Sequence, residues 1–415
     1  MTFIRTSLLN AIAVIVKLLT FLGINKLLAI YVGPIGYAVL GQYQNLITMI
    51  TTFASGAINT GVTKYTAEYY RDELKQQTLW QTAGTIAFIG SVFSSILMAV
   101  FYKQLAIFFL KNEEFATVFL WFAGSLIFFV FNALLLAILN GKKEVGFYVI
   151  ANIAGSLLAL AITALLVSQY GLYGALIGLA VYQSLTFFFS CYLCYKTSWF
   201  KFNLICGTYD PLIAKNLMKY AFMAIVSAVC VPGSQILVRN YIGNTISWDA
   251  AGFVEAMWRL SSAYLMLVTS TLAVYYLPKL SELDDAGKIK AEIVGIYKVV
   301  LPLVILCSSF IYFCRNIIIN LLFTHDFIGM EELFAWQMIG DTLKITSWLL
   351  GYLYVAKGFF RLYIISEILF ALVFFILVVV LENMFGLKSV ALAHALTYFF
   401  YFFFVFYSLK YNRII

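Results

Sequence analysis

Charged side chains interrupt several otherwise apolar stretches of this sequence, and their spacing indicates two kinds of chemistry. Glu255 and Arg259 are four residues apart, so they share one face of a helix and can pair directly. Asp341 and Lys344 are three residues apart and have the same geometry. Basic side chains bind anionic groups, whereas a carboxylate in a medium of low dielectric constant holds its proton more strongly. We therefore predict that Arg259 and Lys344, beside Glu255, bind an anionic ligand and that Asp341 exchanges a proton.

Two further charges extend this candidate site. Lys17 lies far inside the first apolar stretch, so we expect it to face a water-filled cavity and to add a basic group to the binding site. Glu367 is a second candidate for the carboxylate that couples binding to an ion gradient. Lys26 and Arg239 lie near the ends of their stretches and are expected to extend to the aqueous surface. A structural interpretation, in which the paired charges only neutralise each other, stays open.

The elements that must position these residues are membrane helices. The chain of 415 residues is 63% hydrophobic and 11% charged, against roughly 25% charged residues in soluble domains. A helix needs about 20 mostly apolar residues to cross a bilayer. Twelve segments meet this requirement: 8–31, 38–60, 79–102, 115–139, 145–168, 172–195, 217–242, 252–277, 293–314, 331–355, 360–381 and 387–409. The connections are too short to hold a soluble catalytic domain, so no enzyme activity is expected.

The predicted spans form a unit of six that occurs twice. Identical residues recur 215 positions apart, as in Trp121 and Trp336, Lys142 and Lys357, Tyr148 and Tyr363, and Gly171 and Gly386. Because six is even, both copies enter the membrane from the same side. We predict an all-α polytopic membrane protein with twelve transmembrane helices in two six-helix lobes, 1–205 and 206–415, related by a parallel pseudo-two-fold repeat. A linker at about 196–216 joins the lobes, and Pro232 is expected to kink the seventh span.

The basic residues predict the orientation of the chain. They give a net charge of +8. They cluster in the connections on one side, as at Lys142, Lys143, Lys196, Lys201, Lys357, Arg361 and Lys410, whereas the other side holds only Lys103, Lys111, Arg315 and Lys388. By the positive-inside rule both termini are cytoplasmic. This placement argues against nucleic-acid binding, and the same charges can bind the headgroups of anionic membrane lipids.

No cofactor or metal site is predicted. Cys191 and Cys194 lie in an apolar stretch without a second ligand pair, and His325 and His394 have no metal-ligand spacing. The sequence also contains no GxxxxGK[ST] phosphate-binding loop. The energy for any transport must therefore come from an ion gradient or from consumption of the product.

Five stretches carry a resemblance to a known family: GPIGYAVLGQYQNLIT (33–48), GVTKYTAEYY (61–70), YYLPKLSEL (275–283), FAWQMIGDTLKI (334–345) and GYLYVAKGFFRLYIISE (351–367). They resemble the Wzx-type flippases of the polysaccharide transporter family, in the multidrug/oligosaccharidyl-lipid/polysaccharide exporter superfamily. The similarity extends over essentially the whole chain and is greatest to the enterobacterial common antigen and O-antigen branches. The resemblance implies two six-helix lobes around a cationic cavity, alternating access and a location in the bacterial inner membrane. It also implies an undecaprenyl-diphosphate-linked glycan as substrate, with the polymerase and chain-length regulator of the same pathway as candidate partners.

We therefore expect a flippase for a lipid-linked O-antigen or common-antigen repeat unit, whose diphosphate binds the basic side chains of the cavity. Asp341 and Lys344 lie within a stretch that resembles the family, whereas Glu255 and Arg259 rest on the argument from their charges alone. Two alternatives stay open. A drug/cation antiporter of the same superfamily would favour carboxylates over basic groups in its cavity. A polytopic glycosyltransferase or polysaccharide polymerase would need large loops outside the membrane.

Overall fold

The structure is built from α-helices, as the apolar runs predict. The computed structural model describes residues 3–201, 207–283 and 285–412. Its α-helices in chain order are α1 Phe3–Ala54, α2 Asn59–Glu68, α3 Glu73–Leu105, α4 Ala116–Gly141, α5 Val145–Tyr195, α6 Pro211–Thr245, α7 Trp248–Thr271, α8 Leu277–Glu282, α9 Ala286–Phe313, α10 Arg315–Leu322, α11 Phe334–Ala356, α12 Phe360–Phe385 and α13 Lys388–Tyr411. Short π or 3-10 turns lie at Ala106–Leu110, Glu113–Phe115, Leu272–Tyr276 and His325–Leu333. Within the described residues, eight helices are long and apolar enough to cross a membrane.

Polar side chains mark where three of these helices begin. Asp72, Ser247 and Asp285 precede α3, α7 and α9, and each side chain accepts a hydrogen bond from the backbone N–H three residues later. Such caps bind backbone donors that the first turn of a helix leaves without a partner. At Asp72, the hydrogen bonds from Lys75 also lower the pKa of the carboxyl group. The starts of these helices are therefore determined by local side-chain chemistry.

Two of the long helices are interrupted by glycine. Gly33 within α1 has φ 67° and ψ −175°, and Gly171 within α5 has φ 54° and ψ −132°. A side chain with a Cβ atom rarely adopts these angles, so glycine permits the sharp break. At 1.5 Å per residue, the 52 residues of α1 and the 51 of α5 would greatly exceed a hydrocarbon core of about 30 Å. Each of these helices is therefore long enough for two crossings.

Backbone conformation repeats at the same interval as the sequence. Gly386, which follows α12, has φ 52° and ψ −133°, nearly the angles of Gly171. Lys143 before α5 and Gly358 before α12 have φ 59° and 71°. The residues of each pair are 215 positions apart. Local turn geometry thus recurs along with residue identity.

The chain divides into two compact units. The first comprises residues 1–32 and 39–232, and the second comprises residues 33–38 and 233–415. The chain passes from one unit to the other at Pro232 within α6. The predicted lobes 1–205 and 206–415 stay a prediction, and residues 202–206 of the predicted linker lie outside the described residues.

A six-residue segment from the middle of α1 packs into the second unit. The Tyr37 side chain is fully buried, and its ring lies 5.0 Å from that of Phe327 and 6.0 Å from that of Phe323. A Cβ atom at residue 252 would lie only 1.9 Å from the carbonyl oxygen of Pro34. Glycine at this position therefore allows the two backbones to come this close. The second unit is therefore completed by residues that occur very early in the chain.

A lysine occupies the same repeat position in each unit and reaches a preceding connection. Lys142 donates a hydrogen bond to the Gln76 side chain at 3.1 Å, and its ammonium lies 5.7 Å from the ring of Trp80 and 5.6 Å from that of Trp199. Lys357 donates to the backbone carbonyl of Leu283. These contacts attach the turn before α5 to the start of α3, and the turn before α12 to the end of α8.

Candidate functional site

Three charged residues form one buried cluster in the second unit. The Glu255 carboxylate accepts a hydrogen bond from Arg239 Nη1 at 2.5 Å and another from Arg259 Nε at 2.8 Å. Arg239 is fully buried, and Arg259 and Glu255 are 6% and 7% exposed. Aromatic rings contact both guanidinium groups: Trp258 lies 5.5 Å from Arg239, and Tyr37 lies 5.4 Å from Arg259. The predicted pairing of Glu255 with Arg259 is confirmed.

The charge of this cluster is unbalanced. Arg239 and Arg259 contribute two positive charges, whereas Glu255 contributes one negative charge. Burial of an ion requires a partner of opposite charge or an equivalent set of hydrogen bonds. Contacts of cations with aromatic faces supply part of this compensation. The three residues together thus carry a net positive charge, which the aromatic faces compensate in part.

Sequence reasoning placed Arg239 at the aqueous surface, and that expectation is wrong. The seventh span was predicted to end at 242, but α6 continues to Thr245, so Arg239 lies almost two turns inside the helix. Its side chain points toward α7 and meets Glu255. The sequence does contain a possible partner, Glu255, sixteen residues after Arg239. Only the packing of α6 against α7 shows that the two side chains meet.

Asp341 is the centre of a second buried cluster. Its Oδ1 atom lies 3.0 Å from Gln337 Nε2 and 3.0 Å from His394 Nε2, and its Oδ2 accepts a hydrogen bond from the Tyr264 hydroxyl at 2.9 Å. Gln337 also donates to Ser261 Oγ at 3.2 Å. The carboxyl group is fully buried. Residues from α7, α11 and α13 therefore converge on one acid.

Helix packing explains how His394 reaches this acid. Gln337 and Asp341 are four residues apart on one face of α11, and His394 comes from α13, which packs along α11. A Cβ atom on Gly340 would lie 2.4 Å from the imidazole Cδ2 of His394. Glycine at this position therefore leaves the space that the imidazole occupies.

Lys344 makes no ion pair with Asp341, although their i,i+3 spacing allowed one. Its ammonium lies 4.8 Å from the ring of Trp348 and 5.8 Å from that of Tyr398. Asp341 pairs instead with His394, whose ring packs 4.9 Å from the Tyr398 ring. The Asp341 carboxylate instead contacts His394 of α13. Lys344 is thus a half-buried cation held by aromatic faces.

The remaining predicted residues lie apart from these clusters. Glu367 lines a cavity of about 220 Å³ together with Trp348, Tyr363 and Tyr401. It borders the aromatic residue that holds Lys344, but the contacts of Asp341 do not include it. Lys17 belongs to the first unit, where its side chain is exposed beside the exposed Leu19. The functional roles of both residues stay predictions.

Sequence reasoning missed His394, Gln337 and Tyr264 as members of the Asp341 cluster. His394 was considered only as a metal ligand, and within the described residues no group of His, Cys, Asp and Glu could hold a metal ion. The available signal was a histidine within the apolar sequence of α13. Its partner lies 53 residues earlier, so spacing along the chain could not identify the pair.

Comparison with known proteins identifies the family to which this chain belongs. The sequence profile of the family described as "Polysaccharide biosynthesis protein" matches residues 4–284, more than half of the chain. The chain belongs to this family. Two relatives named "Lipid III flippase", from Escherichia coli (strain K12) and Shigella flexneri, are each 31% identical to it over 371 residues. The alignment covers 89% of this chain and 88% of each relative. The resemblance to Wzx-type flippases is therefore confirmed at the level of the family.

Solved structures show the fold of this polysaccharide biosynthesis protein. The inward-facing conformation of a multidrug resistance MATE family transporter of the MOP superfamily matches with a TM-score of 0.80 at 13% identity, over 96% of this chain and 99% of that one. Lipid II flippase MurJ in its inward closed conformation matches with a TM-score of 0.69 at 16% identity, over 98% and 87%. The protein is thus an all-helical, multi-pass membrane protein of MATE/MurJ-like fold. It belongs to a family of transporters and is not an enzyme.

Proposed function

We propose that this protein is a flippase that moves an undecaprenyl-diphosphate-linked oligosaccharide from the inner to the outer leaflet of the bacterial inner membrane. The substrate is an O-antigen or enterobacterial common antigen repeat unit. Relatives named for flipping lipid III, aligned over 89% of the chain, support this assignment. The observation within the molecule that carries it is the Arg239–Glu255–Arg259 cluster, since its net positive charge suits a diphosphate.

The proposed topology has twelve spans and cytoplasmic termini. α1 and α5 each contribute two crossings, separated at Gly33 and Gly171. α7 and α11, which carry the buried charges, are counted as spans together with α3, α4, α6, α9, α12 and α13. The two six-helix lobes, 1–205 and 206–415, move by alternating access, with a hinge at Pro232.

Binding and release explain the proposed transport, and no covalent bond breaks. The N–H donors of a guanidinium group match phosphate oxygens, so the proposal places the diphosphate against Arg259, which also holds Glu255. Lys344 supplies further positive charge for the diphosphate, and Lys17 stays a candidate basic residue of the first unit. The sugars occupy the cationic cavity that the resemblance to Wzx-type flippases implies, and the prenyl tail stays in the surrounding lipid because burying it in a polar site would be unfavourable.

Asp341 is the proposed coupling group, with His394 as its partner. The carboxylate holds donors from three helices, so a proton on Asp341 would weaken contacts that join α7, α11 and α13. The charged groups that act on Asp341 are Lys344 on α11 and His394 on α13, and the Ser308 hydroxyl of α9 lies beside the Tyr264 hydroxyl. Protonation would therefore bias the packing of these helices and link a proton gradient to alternating access. Glu367 is the second candidate for this role.

Complementation of flippase-deficient strains tests the proposal. Each strain should make one defined repeat unit, and surface polysaccharide should be measured together with the abundance of the protein in the membrane. We expect restoration in at least one strain that makes an O-antigen or common-antigen unit. Normal abundance without restoration in any such strain would exclude the proposed substrate class.

The fold similarity to a multidrug transporter supports a second candidate, a drug/cation antiporter. This function predicts resistance to cationic drugs in a strain that lacks its own exporters. The net positive Arg239–Glu255–Arg259 cluster disfavours it, because a cationic drug would be repelled. Drug resistance without restoration of surface polysaccharide would favour the antiporter.

A further inference from the structure

A groove in the second unit combines two lysines with an apolar floor. It has a volume of about 370 Å³ and lies along α9, α11 and α13. Lys290 near the start of α9 and Lys410 near the end of α13 both line it. Val294 and the aromatic rings of Phe402 and Phe406 line the remainder. The volume is at the lower end of the range for ligand pockets, about 300–1,000 Å³.

The shape and polarity of the groove favour a chain-like apolar ligand. Phe402 and Phe406 are one helical turn apart, and their rings are nearly parallel, with 16° between the ring planes and 6.2 Å between centroids. Tyr297 donates its hydroxyl hydrogen inward to the carbonyl of Thr346, so its ring rather than its polar end lines the groove. Val294 is 44% exposed. The wall is therefore flat, aromatic and open along one side.

The charges at the end of the groove favour an anionic head. Both lysines are exposed, and no acidic residue is among the side chains that line the groove. Lys290 lies near the N-terminus of α9, where the helix dipole favours anions over cations. The helix dipole therefore does not stabilise a positive charge at this position. The nearby Glu292 accepts a hydrogen bond from Tyr275 at 3.4 Å and does not line the groove. A phosphate between the two lysines would complement this arrangement.

The sequence repeat shows what occupies the equivalent surface in the first unit. Val294 and Tyr297 correspond to Leu79 and Thr82 at the 215-residue offset. Leu79 is fully buried, and the Thr82 hydroxyl accepts a hydrogen bond from the backbone N–H of Asp210. The segment after α5 therefore covers this surface in the first unit. In the second unit, Val294 at the corresponding position is exposed.

We propose that this groove binds an anionic phospholipid of the cytoplasmic leaflet, with its phosphate between Lys290 and Lys410 and one acyl chain along the aromatic wall. Basic pockets between transmembrane helices on this side are suited to anionic headgroups. The inference goes beyond the flippase function and rests only on the proposed topology of α9 and α13. Lipid binding to the purified protein tests it without any transport, so failure of either proposal can be told from failure of the other.

Native mass spectrometry of the detergent-purified protein with palmitoyl-oleoyl phosphatidylglycerol and its phosphatidylcholine counterpart is the test. We expect preferential binding of phosphatidylglycerol. Lys290→Gln with Lys410→Gln should lower that affinity about 30-fold, as about 1 kcal/mol for each lysine near an anionic surface implies. The matched control, Lys215→Gln with Lys288→Gln, removes the same charge from exposed residues outside the groove and should change the affinity less than about threefold.

A third variant, Val294→Trp, keeps both lysines and fills the groove from its exposed side. It should also lose phosphatidylglycerol selectivity, which a site made only of lysines would retain. Three results would overturn the proposal: equal loss in the control pair, displacement of the lipid by millimolar inorganic phosphate, or preference for undecaprenyl phosphate over phosphatidylglycerol. The last result would assign the groove to the transported lipid instead.

Discussion

Removal of Glu255 should destabilise the protein more than removal of either of its partners. Glu255→Gln removes the carboxylate that Arg239 and Arg259 share, and Arg239 has no exposure to solvent. Loss of one partner from a buried ion pair costs about 3–5 kcal/mol. Because Glu255 pairs with two arginines, we expect its removal to cost about 5 kcal/mol. Arg239→Met keeps the pair between Glu255 and Arg259, so a lost charged hydrogen bond of about 1–3 kcal/mol is expected.

The double variant separates this explanation from a general effect of mutation. Arg239→Met with Glu255→Gln leaves one arginine in the cluster instead of two, so its cost should be less than the sum of the single variants by about 2–3 kcal/mol. The measurement is the free energy of unfolding in mixed micelles during titration with dodecyl sulfate, followed by helical circular dichroism. Glu331→Gln is the matched control. The Arg315–Glu331 pair has the same 2.8 Å distance as the Arg259–Glu255 pair but is partly exposed, so this change should cost less than about 1 kcal/mol.

Two results would refute this reasoning. Equal destabilisation by Glu255→Gln and Arg239→Met would mean that the net positive charge of the cluster has no energetic consequence. Additivity of the two changes within about 0.5 kcal/mol would mean that the residues do not interact. Either result would also remove the electrostatic basis for placing a diphosphate at this cluster.

Three further predictions concern transport and folding. Lys344→Ala and Asp341→Asn should each lower surface polysaccharide in a flippase-deficient strain at normal protein abundance, whereas Lys388→Ala should not; full complementation by both variants would contradict the cavity assignment. Gly340→Ala and His394→Ala should both reduce transport, because the new methyl group at residue 340 displaces the imidazole, while Gly295→Ala on open helix surface should have no effect. Gly171→Ala should destabilise the protein by about 1–3 kcal/mol through its positive φ alone, since its Cβ would meet no neighbour, and Gly124→Ala in a regular helix should be neutral or stabilising in the same unfolding assay.

The sequence predicted most of the helical framework, because apolar length and glycine placement are local properties. The predicted spans 145–168 and 172–195 correspond to the two parts of α5, which are divided at Gly171. The prediction of a span at 360–381 likewise matches α12. These segments need only their own residues and a bilayer to become helices, so no knowledge of tertiary packing was necessary.

The sites were predicted less well, because their partners come from different helices. Glu255 and Arg259 were paired correctly, since both lie on one turn of α7. His394 and Arg239 became visible only when packing placed α13 beside α11 and α6 beside α7. The same holds for Lys344. Its i,i+3 spacing allows a pair with Asp341, but His394 from another helix pairs with that carboxylate instead.

The packing of Gly33–Ala38 into the second unit has a consequence for biosynthesis. Tyr37 is synthesised roughly 290 residues before Phe327, the ring against which it packs. At about 5–20 residues per second, the ribosome needs roughly 15–60 s to add that partner. During this time the Tyr37 ring lacks the Phe323 and Phe327 rings against which it packs in the folded protein. The packing of the second unit around Tyr37 is therefore completed only after most of the chain has been synthesised.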